Sequence, residues 1–198
     1  MRDIARPSIG RRTALVLIAA SAGLLGACAD KPKAGLGCPP VSILSDTNRL
    51  TIYRAGPGRD LSDIAYEAQL VSFEGDCIYT ADNKDMEKAS KYREVTLNLR
   101  PRFRVTPGPA LAAQRVTLDY FVAMPDFYPN SEGRADFSRA VDIPPTRTPI
   151  ELVDSEIQLN IPLEEGRTGE QTEVYLGFAL TEEQLQQNRR RSGGRLGP

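Results

Sequence analysis

The chain has no histidine and no tryptophan. The first absence removes Ser-His-Asp and Cys-His nucleophilic arrangements, and with them the commonest zinc ligand. The second removes the tryptophan that packs on the inter-sheet disulfide of antibody domains. Charge of one sign is not in excess either, with 25 basic residues against 26 acidic ones. That balance offers no basic patch of the kind nucleic-acid phosphates require, so no nucleic-acid partner is expected. No apolar run reaches the roughly 20 residues of a membrane-spanning helix. Cysteine is scarce, with three in 198 residues.

Those three cysteines are distributed informatively. Arg2, Arg6, Arg11 and Arg12 give the chain a positive start, and Ala14 to Leu25 is an apolar run broken by Ser21 and Gly23. Small residues, Gly26 and Ala27, stand just before Cys28. This is the three-part pattern of a signal peptide, here residues 1–27, with an apolar segment of about 12 residues, too short to span a bilayer.

Leu25-Gly26-Ala27-Cys28 resembles the lipobox of bacterial lipoproteins. The resemblance covers only the first thirty or so residues and carries an address and a modification, not an activity. It implies that the Cys28 thiol accepts a diacylglyceryl group and that cleavage makes Cys28 the first residue. The new amino terminus can take a third chain, of the palmitate type. A single chain holds reversibly at about 0.8 kcal/mol per buried methylene, so two or three hold stably. The sorting rule of enterobacterial lipoproteins keeps a protein in the inner membrane when Asp follows the lipidated Cys. Here Ala29 follows it and Asp30 comes one later, which by that analogy implies the outer membrane, facing the periplasm.

Removing residues 1–27 leaves 171 of the 198, enough for one domain with its own core. The mature chain holds 21 basic and 25 acidic residues, a mild net negative charge. Cys38 and Cys77 then form an even pair. In an oxidising envelope compartment they are expected to form a disulfide; two free thiols or a metal pair are the alternatives. Residues 28–37, with Lys31-Pro32-Lys33-Ala34-Gly35, read as a lipidated tether.

Residues 38–181 read as a β domain. Ile64, Tyr66, Ala68 and Leu70 fall on even positions, whereas Val71, Phe73, Cys77 and Tyr79 fall on odd ones. That change of parity predicts a bulge or kink near Leu70. Residues 81–91 read as a charged loop or one helical turn. Val95, Leu97, Leu99, Phe103 and Val105 alternate with Glu94, Thr96, Asn98, Arg100, Arg102 and Arg104, the signature of a half-buried antiparallel strand. Pro101 cannot donate a ladder hydrogen bond, which predicts an edge or a bulge there. Val116, Leu118, Tyr120, Val122 and Met124 repeat the pattern, and the spacing suggests that these two strands pair. Ile157 to Leu163 and Val174 to Leu180, joined by Glu164-Glu165-Gly166-Arg167-Thr168-Gly169, read as a hairpin.

Residues 182–198 read as a short helix and a disordered basic tail. Thr181 and Gln184 form a capping-box pattern, with the helix running to about Asn188 and the tail beginning at Arg189. Seven to nine short strands without a long helix predict an all-β fold. The expected form is an antiparallel β-sandwich, immunoglobulin-like in general architecture, with a β-barrel as the alternative.

Chemistry-bearing patterns are few. Arg100, Arg102 and Arg104 share one strand face about 7 Å apart, suited to an anionic ligand or an acidic partner, or to ion pairs with a neighbouring strand. Glu94 and Asp119 are candidate counter-ions. Phe127-Tyr128-Pro129 places two aromatics in a turn-rich loop, where they can anchor an interface or fold back on the core. Asp60 with Asp63, Asp82 with Asp85, and Glu164 with Glu165 are neighbours in polar loops, where acidic residues mostly cap backbone groups. Asp82-Asn83-Lys84-Asp85 lacks the order of a calcium loop, and Gly56-Pro57-Gly58 lacks that of a phosphate loop. The expected function is a lipid-anchored, non-enzymatic interaction or structural protein of a Gram-negative envelope. It would hold the membrane by its lipid and engage an envelope protein partner, without a cofactor or metal. The alternative is a binding or inhibitor module for an anionic ligand or a secreted enzyme.

Overall fold

The computed structural model describes residues 36–81 and 92–193. Its strands are β1 (Val41–Ile43), β2 (Arg49–Tyr53), β3 (Ile64–Ala81), β4 (Tyr92–Pro107), β5 (Arg115–Ala123), β6 (Arg134–Asp142), β7 (Ile150–Val153), β8 (Ile157–Pro162) and β9 (Val174–Phe178). They form two open sheets, which sets aside the barrel alternative. One sheet has the order β1-β9-β5-β6; the other has β2-β3-β4-β7, with β8 also paired to β4. Every pairing is antiparallel except β1 with β9. The protein is an all-β sandwich.

Strand β4 is the spine of the second sheet. Its alternating apolar residues Val95, Leu97, Leu99, Phe103 and Val105 are all but fully buried. It pairs along β3 on one side, and with β8 and then β7 on the other. The parity change in β3 is a bulge: Leu70 pairs with Phe103 and Ser72 with Arg102, leaving Val71 extra. Even positions face the core before it and Phe73, Cys77 and Tyr79 after it. Pro101 is not at an edge. Its carbonyl accepts from the Asp154 N–H at 2.8 Å. In an extended strand a residue's N–H and C=O point the same way, so the missing donor faces the interval between β8 and β7. No ladder partner is required there.

Two expected pairings do not form. β4 and β5 lie in different sheets and meet face to face, with the Phe103 and Tyr120 rings 5.1 Å apart. The linker between them is tied to β3 through Gly108 N–H to Ala65 O and Ala110 N–H to Ile64 O. β8 and β9 are likewise split: β8 joins β4, whereas β9 joins β5 and β1. The expected turn is present, with Arg167 N–H donating to Glu164 O and Gly166 at φ 81°. Beyond it, however, the chain crosses to the other sheet. The physical reason is common to both: alternation specifies which face is buried, and it is satisfied equally by a neighbour in the sheet or by one across the core.

The helix α1 (Glu182–Gly193) starts at the expected capping box, with Thr181 N–H to Gln184 Oε1 at 2.8 Å and Gln184 N–H to Thr181 Oγ1 at 3.3 Å. It does not stop at Asn188. It continues through Arg189, Arg190 and Arg191, so these arginines are helical, contrary to the disordered tail expected of them. Glu182 and Glu183 in the first turn and Arg190 and Arg191 in the last complement the helix dipole. Asn188 is buried and donates to Asp46 O and Arg49 O at 2.9 and 2.7 Å. Arg189 meets Asp46 and Arg191 meets Glu67. The helix thereby packs against the edge strand β2, an edge that would otherwise be open. The loop expected at 81–91 lies outside the described residues beyond Ala81.

Candidate interaction surfaces

Residues that could contact a partner fall into three places. The first is the outer face of β4. Arg100 and Arg102 both reach Glu74 on β3, at 3.6 and 2.5 Å. Arg104 Nε donates to Glu151 on β7 at 2.8 Å. Glu94 and Asp119 are not the counter-ions: Glu94 sits opposite Pro162, and Asp119 lies in the other sheet, accepting from Ser138. The pairs are half-exposed, so each contributes about 0.2–1 kcal/mol. This arrangement neutralises most of the positive stripe and leaves a mixed-charge surface.

The second place is the β5–β6 connection. Pro125–Phe127 and Ser131–Gly133 form 3-10 turns on either side of a cis Tyr128–Pro129 bond. A Cβ at Gly133 would lie 2.9 Å from Tyr128 N, so only glycine allows the turns to close on each other. The two aromatics divide. Phe127 packs against the core, whereas Tyr128 is 82% exposed. Beside Phe127 is a cleft of about 260 Å³, lined also by Asp126, Asn130, Pro162, Leu163 and Arg167. Arg167 bridges Asp126 at 3.5 Å and Glu164 at 4.0 Å. The structure does not bring this loop together with the arginine face; Arg104 lines a separate, smaller groove beside Arg49 and Glu67.

The third place was not expected. A groove of about 360 Å³ runs between β2, the 54–59 loop and α1, lined by Tyr53, Arg54, Arg59, Glu183, Gln184 and Gln187. The Arg59 guanidinium lies 5.3 Å from the Tyr53 ring centroid and donates to Gly56 O and Gly58 O at 2.9 and 2.8 Å. Arg54 is held at 2.6 Å by the buried Asp63. Two arginines around Gly-Pro-Gly are visible in the sequence, but the wall that makes a groove of them is a helix more than 120 residues away in the chain.

The acidic neighbours Asp60 and Asp63 do what loop carboxylates usually do. The Asp63 side chain accepts from the Asp60 N–H at 3.1 Å and closes a 3-10 turn. One polar network sits inside the sandwich. Tyr120 Oη donates to Asp154 Oδ2 at 2.9 Å, Ser155 N–H donates to Oδ1 at 2.7 Å, and Arg139 approaches at 3.4 Å. Burial first, and then the Asp154 carboxylate, push the Tyr120 hydroxyl well above its ordinary pKa. A phenol held neutral in this way is a donor between sheets and not a base. Among the described residues no cluster of His, Cys, Asp and Glu is arranged to hold a metal.

The cysteine pair is joined. Cys38 and Cys77 form a disulfide with Cα atoms 5.6 Å apart, within the ordinary range. It ties the start of the domain to β3. Next to it, Tyr79 Oη donates to Gly37 O at 2.5 Å and accepts from Gly169 N–H at 2.9 Å, so three distant segments are fastened at one corner.

Compared with known proteins, the chain matches no family model, no curated protein and no solved structure.

Proposed function

We propose that this protein is a lipid-anchored, non-enzymatic interaction or structural protein of the bacterial envelope. It is held by acyl groups on Cys28 at the periplasmic side of the outer membrane. The observation that carries the reading is the Cys38–Cys77 disulfide. Structural disulfides belong to oxidising compartments, which supports export. With that pair formed, the one remaining cysteine of the chain is the one in the lipobox. The described residues contain no helix long and apolar enough to cross a membrane.

A role without catalysis is supported by how the chemistry-bearing side chains are used. Arg100, Arg102 and Arg104 are spent on Glu74 and Glu151, Asp63 on Arg54, and Asp154 on Tyr120. The contact offered to an envelope partner is then the exposed Tyr128 beside the Phe127 cleft. The same feature favours the second reading, a module that binds a ligand or secreted enzyme there.

Fractionation and crosslinking test this together. The wild-type chain is expected in the membrane fraction and Cys28→Ser in the soluble one. Crosslinked envelopes are expected to yield a partner that Tyr128→Ala loses. Recovery of nothing above controls would count heavily against the interaction role.

A further inference from the structure

Three of the sheet edges in this sandwich are short, covered or broken, and one is none of these. β1 has three residues, β2 is packed by α1, and the edge beside β4 is split between β7 and β8, four and six residues long. β6 has nine residues, and it pairs with β5 along its whole length on one side only. Among the described residues nothing pairs with its other side.

The groups on that free side can be identified. Met124 N–H donates to Gly133 O and Ile143 N–H to Gln114 O. These bonds extend the β5–β6 register and fix odd-numbered residues of β6 as those whose backbone faces β5. The backbone N–H and C=O of Arg134, Asp136, Ser138, Ala140 and Asp142 therefore face outward. All five residues are exposed.

We propose that β6 pairs antiparallel with β6 of a second copy, about a two-fold axis at Ser138. The two four-stranded sheets would thereby join into one. Charge and register select this arrangement. With the axis at Ser138 all nine residues pair, and Arg134 of each copy stands opposite Asp142 of the other on the same face. Arg134 already meets Asp136, and Asp142 already meets Arg115. The join therefore makes an alternating row: Asp136, Arg134, then Asp142 and Arg115 of the second copy. An axis at Arg139 would set Asp136 opposite Asp142, like charges directly across, which is unfavourable. An axis at Phe137 would leave Asp142 without a partner. On the inner face the Ser138 axis puts Phe137 opposite Arg139 of the second copy, a guanidinium beside a half-buried ring. Charged residues usually guard an edge strand against pairing. Here their order suits the Ser138 register best, because the Arg139 axis opposes like charges and the Phe137 axis leaves Asp142 unpaired. The inference does not depend on the lipid anchor.

Cysteine crosslinking of the purified full-length protein tests it. Opposed residues of a hydrogen-bonded antiparallel pair have Cα atoms about 5.5 Å apart, within disulfide range. Ser138→Cys is expected to give a covalent dimer on mild oxidation. Ala140→Cys is expected to stay monomeric, because its equivalent in the second copy lies about 13 Å further along the strand. Ser138 donates to Asp119 at 2.6 Å, so a second variant guards against local damage. Asp136→Cys combined with Ala140→Cys is expected to dimerise, although neither single change does. No dimer from either design would overturn the proposal. So would equal crosslinking at Ser138 and Ala140.

Discussion

At Tyr120 a hydroxyl donates to Asp154 at 2.9 Å inside an otherwise apolar core, between the Phe103 and Phe137 rings. The bond spans the two sheets. Removing the carboxylate leaves the hydroxyl buried without a partner, at a cost of about 1–3 kcal/mol. Asp154→Ala is expected to lower the urea midpoint accordingly, with an unchanged slope. The same site sets an alkaline limit. Burial raises the pKa of Tyr120, and also those of Tyr66 and Tyr79, above the ordinary value near 10. The folded chain then keeps protons that the unfolded chain gives up. Stability is full below about pH 10 and falls as the pH climbs above it. Urea midpoints measured on either side of that value are expected to drop on the alkaline side, and Tyr120→Phe to flatten part of the drop. A midpoint that does not move would contradict the assignment.

Among the elements, two attachments are made by few groups. The Cys38–Cys77 bridge closes a separation of 39 residues, and the chain-entropy account gives it about 4 kcal/mol. Cys77→Ser is expected to lose about that much, seen as a large fall in thermal midpoint. Helix α1 depends on its cap and on Asn188. Thr181→Ala is expected to cost about 1 kcal/mol and to speed amide exchange in the first turn of the helix before the sandwich is affected. The capping box was legible in the sequence because cap and partner are three residues apart. So was the β3 bulge, because period-2 patterning makes a one-residue slip visible. The partners of β5 and β9 were not legible, because Phe103 and Tyr120 bury their faces equally well side by side or opposed. Nor were the counter-ions of Arg100, Arg102 and Arg104. Glu74 comes opposite Arg100 only through the β3–β4 register, and Glu151 opposite Arg104 only through the β4–β7 register. The continuation of α1 through three arginines was missed for a similar reason. Asp46 and Glu67, which receive two of them, lie far earlier in the chain, Asp46 143 residues before Arg189.

At the scale of the whole molecule, we propose an N-terminal lipid joined to a disulfide-closed β-sandwich, with Cys28 carrying the anchor while Cys38 and Cys77 are oxidised. Intact-mass analysis of the protein extracted from membranes, alkylated before and after reduction, tests both halves at once. The expected result is a chain beginning at Cys28 with added acyl mass, taking up two alkyl groups only after reduction. An unlipidated soluble chain, or alkylation of Cys38 and Cys77 without reductant, would contradict it.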